Sequence, residues 1–132
     1  MRNVMNIGEE YGGGIIFFVD EKEGHALVAA KEDLRCHSSG CADGRFVWAD
    51  AVAACHDFVN NGYRDWFLPN KEQLNQLYIQ KDIVGCFADY STGYWSSSES
   101  TPTNAWLQLF ISGFQSHGHK KYPNRIRAIR IY

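Results

Sequence analysis

His117 and His119 stand one residue apart in a chain of 132 residues. On an extended strand that spacing puts two imidazoles on one side, the beginning of a metal site. No Asp or Glu follows Glu99 and the last cysteine is Cys86, so this segment supplies no third ligand and no metal is expected. The serines at 96–98 offer hydroxyls, but no Gly-x-Ser-x-Gly turn presents one as a nucleophile. The glycines at 12–14 precede a strand-like run instead of a helix, which excludes a phosphate loop. Cys36, Cys41, Cys55 and Cys86 come at irregular intervals with no C-x-x-C pair, a poor zinc pattern. Two disulfides, with Cys36 joined to Cys41 or to Cys55, and buried free thiols both stay open. Nothing in this inventory demands catalysis. The chain is expected to be a non-enzyme that needs no cofactor.

Charge is unevenly placed. All fifteen acids lie in residues 1–99 beside eight Lys or Arg, a balance of −7, whereas residues 100–132 carry +5. A basic end attracts anions, but five charges interleaved with apolar residues equally suit pairing of Arg125, Arg127 and Arg130 with acids of the earlier chain. The composition is that of a soluble globular domain rich in aromatics, long enough for one core. No apolar run is long enough to span a bilayer, and residues 1–14 lack the apolar stretch of a signal peptide. Synthesis in the cytoplasm is expected, with later association with a virion or a cell surface left open. Nucleic acid is not expected as a partner.

The elements that must position these residues are short. Gly14–Asp20 and residues 25–30 are β-rich runs around a charged turn, a hairpin signal. Trp48, Val52, Cys55, Phe58 and Val59 recur at helical spacing. Asn60, Asn61 and Gly62 are expected to end that helix, since both residue types tolerate a left-handed cap. Asn70 is a good N-cap and Gln73 completes a capping box for a second helix buried through Leu74, Leu77 and Tyr78. Ile83, Val84, Cys86 and Phe87 are expected to form an apolar patch beneath a loop. Residues 94–99 and 125–132 have the composition of strands. Helices segregated from strands indicate an α+β fold with antiparallel sheets, a single domain over residues 1–132 with a polar arm at 1–13.

Residues 93–132 organise the rest. Within them, Ser112 and Gly113 suggest a two-residue hairpin connection that pairs Ile111 with Phe114, Leu109 with Ser116 and Leu107 with Gly118. Alternation then places Leu107, Leu109, Ile111, Phe114, Ser116 and Gly118 on one face. Trp106, Gln108, Phe110, Gln115, His117 and His119 fall on the other. Both faces carry large apolar residues. Such a ribbon is either buried on both sides or exposed on one face for binding.

The runs GGGIIFFVDEKEGHALVAA, WADAVAAC, GYRDWFLPNKEQLNQLY and YWSSSE, then AW and NRIRAIR, follow one another over nearly the whole chain. Together they resemble the Legionella collagen-like protein C-terminal (Lcl C-terminal) domain family. The resemblance implies a C-type-lectin-like fold, with two helices flanking small antiparallel sheets. It also implies adjacent N- and C-terminal strands, RIRAIRIY lying beside GIIFFVD. Many domains that look like this are variable proteins of diversity-generating retroelements in phages and bacteria. There, adenine-directed mutagenesis of Asn-type codons randomises chosen positions near the end of the gene.

Laid on this chain, those positions are Leu107, Leu109, Ile111, Ser112, Phe114, Ser116, His117, Gly118, His119, Tyr122, Pro123 and Asn124. Each is a residue type such codons can reach, whereas Trp106, Gln108, Phe110, Gly113 and Gln115 match the scaffold. Thr101, Thr103 and Asn104 are further candidates, and Lys121 breaks the scheme. The implied function is display of a ligand-binding surface toward a protein or cell-surface ligand. The alternative is a structural or adhesive module that holds an anionic polysaccharide or neighbouring subunits of a homo-oligomer through Lys120 and Lys121. The calcium-binding motifs of sugar-binding lectins are absent, as is the late cysteine pair of the formylglycine-generating oxidases. Display requires Leu107, Leu109 and Phe114 at the surface, with Trp106 and Phe110 pointing inward.

Overall fold

The computed structural model describes residues 5–34, 44–87 and 93–132; Cys36 and Cys41 lie outside them. The turn at 21–24 joins strands β2 (Gly14–Asp20) and β3 (His25–Ala29) as an antiparallel hairpin, as the alternation predicts. Strand β1 (Glu10–Tyr11) occupies the outer edge of β2. With that edge taken, the last strand, β9 (Ile129–Ile131), docks on β3 and not beside β2 as expected. The sheet order is β1-β2-β3-β9. Gly14 allows the close approach of β2 to β3, since a Cβ there would lie 2.0 Å from the carbonyl oxygen of Ala29.

A second sheet runs in the order β4-β8-β5-β6-β7, from β4 (Arg45–Phe46), β8 (Asn124–Arg125), β5 (Tyr94–Glu99), β6 (Asn104–Gln108) and β7 (Gln115–His119). Its pairs are antiparallel except for a parallel contact between β5 and β8. The architecture is α+β with small sheets, one of them mixed.

Among the described residues three helices pack on these sheets where two were expected. Helix α1 (Trp48–Asp57) buries Ala51 and Cys55. It stops at Phe58, earlier than expected, because that ring turns to pack edge-on against Trp66 with centroids 5.4 Å apart. Asn61 (φ 51°) and Gly62 (φ 82°) instead form a tight turn bracketed by the Asn60–Tyr63 bridge, leaving Val59 exposed. Helix α2 (Lys71–Ile79) has its capping box: the Asn70 side chain accepts from the Gln73 N–H at 2.8 Å, and the Gln73 side chain accepts from the Asn70 N–H at 2.9 Å. Leu74 and Leu77 are buried. Helix α3 (Lys81–Val84) buries Val84, but Ile83 and Cys86 are exposed, so the expected apolar patch reduces to Val84 and Phe87. Among the described residues, no helix is long and apolar enough to cross a membrane.

The segment 124–131 leaves the second sheet at Arg125 and enters the first at Ile129. Ile126 and Ala128 join a core around Trp66, Leu68 and Trp95, and Ile129 joins another around Phe17, Leu74, Leu77 and Tyr94. Arg127 lies between them, fully buried. Its Nε donates to Asp33 at 2.9 Å, Nη1 to the Ala30 carbonyl at 2.9 Å, and Nη2 to the carbonyls of Gly85 and Cys86 at 3.2 and 2.7 Å. The guanidinium also stacks 4.0 Å from the Phe87 ring centroid. Burial pushes the Asp33 carboxyl above the ordinary range, against the opposing pull of Arg127 and of a hydrogen bond from the Tyr94 hydroxyl. Arg130 forks onto Asp65 at 2.7 and 3.2 Å, and its hydrogen bond holds that exposed carboxyl below the ordinary range. Much of the apparent basic charge of the chain's end is thus spent inside the fold.

Among the described residues Cys55 and Cys86 are free thiols, and the pairings considered for Cys36 and Cys41 lie outside those residues. Burial pushes the Cys55 thiol up, whereas Cys86 is exposed. In a Cys36→Ser/Cys41→Ser variant, a thiol reagent is therefore expected to modify Cys86 at once and Cys55 only on unfolding. Two thiols reacting immediately in that folded variant would contradict this burial.

Candidate functional site

Strands β6 and β7 pair without a break: Trp106 faces His117, Leu107 faces Ser116 and Gln108 faces Gln115. The strands end at Gln108 and Gln115, and residues 109–114 connect them, closed by the Leu109 N–H donating to the Phe114 carbonyl at 2.9 Å. The expected two-residue turn at Ser112 and Gly113 is not formed. Phe110 is the cause. Its ring turns inward among Phe87, Tyr94 and Tyr78, with centroids at 4.8, 4.6 and 5.5 Å. Gly113 (φ 84°) completes the loop where a Cβ would meet the Tyr78 ring at 2.6 Å. The register consequently moves by two residues, and a shift of two leaves the face assignment of the strand residues unchanged.

Neither face of β6 is bare. On one, Ala105 is buried and Leu107 packs on the Trp95 core, against the expectation that Leu107 is exposed. Trp95 is fully buried and donates from its indole N–H to the Phe46 carbonyl at 2.8 Å. On the other face, the buried Gln108 donates to Asn75 at 2.9 Å and to the Gly113 carbonyl at 3.1 Å, and the Gln115 side chain reaches the Lys71 carbonyl at 3.4 Å. Trp106, expected inward, is half-buried on this α2 side, with the Lys71 ammonium 3.6 Å from its ring centroid and the His117 ring 5.3 Å away. The serines at 96–98 serve this framework. Ser96 Oγ donates to the Trp106 carbonyl at 2.7 Å, and Ser98 Oγ accepts from the Lys71 N–H at 2.9 Å.

Beyond β7 the chain turns at 120–123. Lys120 Nζ bonds Glu99 at 2.5 Å and the Pro102 carbonyl at 2.9 Å, and lies 4.4 Å from the Trp48 ring centroid. His119 Nδ1 accepts from the Lys121 N–H at 3.2 Å, and its ring meets Tyr122 edge-on at 6.0 Å. Lys120 is thereby a strut of the framework, a role that its place in a basic run did not reveal.

The family model of the Lcl C-terminal domain matches residues 25–130, from β3 into β9. The chain belongs to this family. No curated protein matches it at a significant level.

In this Lcl C-terminal domain the twelve positions named from the sequence fall into three groups. Ile111, Ser112, Phe114, His117, Tyr122 and Pro123 are exposed. Leu107, Leu109, Ser116, Gly118 and His119 are half-buried. Asn124 is buried, paired through β8 with Phe46, and is part of the framework. The exposed side chains are split between the hairpin tip and the turn after β7, with the β7 strand running between them. Apolar side chains are exposed elsewhere too, Ile79 and Ile83 among them, so exposure alone does not single out this surface.

Leu107 and Gly118 are sterically linked. A Cβ on Gly118 would lie 2.8 Å from Leu107 Cδ2, while Cδ1 of the same side chain already sits 2.7 Å from where a Cβ on Gly93 would be. Leu107 is wedged between two glycines and has little room to yield. Gly118→Ala is expected to cost about 1–3 kcal/mol of stability. Adding Leu107→Ala should recover part of that, with a coupling of about 0.5–3 kcal/mol in a double-mutant cycle. Simple additivity would show that the two positions vary independently.

Proposed function

We propose that this Lcl C-terminal domain is a non-enzymatic ligand-binding module with a C-type-lectin-like fold. Its hairpin tip and the turn after β7 display a recognition surface toward a protein or cell-surface ligand. Its setting would be the variable receptor-recognition protein of a diversity-generating retroelement, carried on a virion or a cell surface. The observation that carries this reading is an interleaving. Ile111, Phe114 and Tyr122 are 65%, 63% and 70% exposed. Gln108, Phe110 and Gly113, interspersed with the first two, are locked to Asn75 and the ring cluster beneath. Large apolar side chains held in solvent by a rigid framework resemble a preorganised binding surface, in which a few aromatic anchors dominate affinity. Ladder hydrogen bonds are indifferent to side-chain identity, so such a surface keeps its backbone when its residues change.

A library randomised at Ile111, Ser112, Phe114, His117, Tyr122 and Pro123 is expected to remain largely folded by protease resistance. One randomised at Gln108, Phe110 and Gly113 should lose folding in most members. Equal losses in the two libraries would remove the reading. The retroelement setting is tested separately on the DNA beside the gene. A near-repeat of the gene's end, with adenines at the named codons and a reverse transcriptase nearby, is the expected finding; sequence lacking both would refute that part.

A further inference from the structure

The order β4-β8-β5-β6-β7 ends at β7, so among the described residues β7 is paired on one side only. The Leu109–Phe114 bond and the bond from the Lys120 N–H to the Thr103 carbonyl at 2.9 Å fix the phase of its ladder. In an antiparallel pair, residues alternate between exchanging hydrogen bonds with the partner and pointing those groups away. Ser116 and Gly118 therefore turn their N–H groups toward β6. Gln115, His117 and His119 turn theirs outward from the sheet edge.

This edge lacks the usual guards. Its register carries no bulge, and its five residues include neither proline nor lysine. The other outer strands, β1 and β4, are two residues long, and β9 is partly covered by a bridge between Ile129 and Phe67. Phe114 at one end of β7 and Tyr122 beyond the other stand exposed, a strand's length apart.

We infer that β7 is a strand-addition site, and that its occupant is an extended, acidic segment of a protein partner. The inference rests on the display reading and specifies the partner class for that same surface. An added strand bonds to the outward groups of Gln115 and His117 and to the His119 N–H, the His119 carbonyl already accepting from the Tyr122 N–H at 3.0 Å, while Phe114 and Tyr122 grip its two ends. Charge selects the acidic partner. Lys121 is exposed in the turn that follows the strand and the Lys71 ammonium lies over Trp106 of the neighbouring β6, whereas Lys120 is neutralised by Glu99. A second copy is the poorer occupant, since antiparallel self-pairing centred on His117 would set this basic edge against itself. Main-chain bonding supplies a base affinity that survives side-chain changes, which a surface of changing residues requires.

The test selects a displayed library of linear peptides of about nine residues on the whole chain, then measures synthetic copies of the enriched peptides. The expected peptides are rich in Asp and Glu. Their binding should slow amide exchange at Gln115, His117 and His119 by about tenfold or more, with Ser116 and Gly118 already slow in the free protein. His117→Pro removes an outward N–H while leaving the β6 ladder bonded, and should weaken binding by about tenfold or more, whereas His117→Ala should retain most of it. The exchange measurement on the unaltered chain decides the matter should the proline variant fail to fold. No enrichment, enrichment without acidic bias, binding that leaves the three outward amides unchanged, or their protection by self-association would each overturn the inference. Loss of binding in Phe114→Ala with none in folded His117→Pro would overturn it while leaving the display reading intact.

Discussion

Arg127→Met is expected to lower the unfolding free energy by about 3–5 kcal/mol, the usual consequence of removing one partner from a buried ion pair. The guanidinium has no exposed surface in its contact with Asp33, whose own side chain is 14% exposed. Its loss leaves that carboxyl with the Tyr94 hydroxyl and the more distant charge of Arg125, and strips the carbonyls of Ala30, Gly85 and Cys86 of a donor that methionine cannot replace. Arg127→Lys should forfeit much of the same stability, because one ammonium cannot reproduce the planar fork reaching four acceptors. Adding Asp33→Asn to Arg127→Met should return part of the loss, since the orphaned charge is then gone. Urea unfolding at unchanged slope is the measurement. A loss below about 1 kcal/mol, the range of an exposed pair, would show that this arginine is not the buried tie described.

Trp95→Ala should cost a similar amount, about 3–5 kcal/mol, for a buried aromatic truncated in a packed core. Its ring lies beneath the display strand, 3.8 Å from where a Cβ on Gly118 would be, and its indole satisfies the Phe46 carbonyl. The damage should extend to β7, visible as faster amide exchange at Ser116 and Gly118. Ile111→Ala, Phe114→Ala and Tyr122→Ala form the contrast. Each truncates a side chain that is more than half exposed, so each should change stability by no more than about 0.5 kcal/mol. If these three proved as costly as Trp95→Ala, the exposed surface would be serving the fold, and its assignment to ligand binding would fall.

What could be read directly from the sequence was local. The β2–β3 hairpin follows from alternation on either side of a charged turn, and the α2 capping box from Asn70 and Gln73 three residues apart. The α+β class follows from the segregation of these elements, and the order of motifs points to the family whose model spans residues 25–130. The partition of the β6 and β7 strand residues into two faces also holds, because period-two alternation is indifferent to a two-residue change of register, whereas residues 109–114 leave the ladder.

Tertiary packing decided the rest. Phe58 ended α1 early by turning toward Trp66, and Phe110 shortened the β6–β7 ladder by turning into its ring cluster. No neighbour in sequence dictates either turn. Both faces of β6 carry large apolar residues, so only the position of Trp95 and α2 could place Leu107 against a core and Trp106 beside Lys71. The sequence allowed Arg127 an earlier acid as its partner, but only the fold brings Asp33 and three backbone carbonyls from separate parts of the chain around it. The sequence determined which residues alternate and which elements they build. The fold alone decided which face is covered, which strand edge stays open and which charges are consumed inside, because each of these depends on partners far away in the chain.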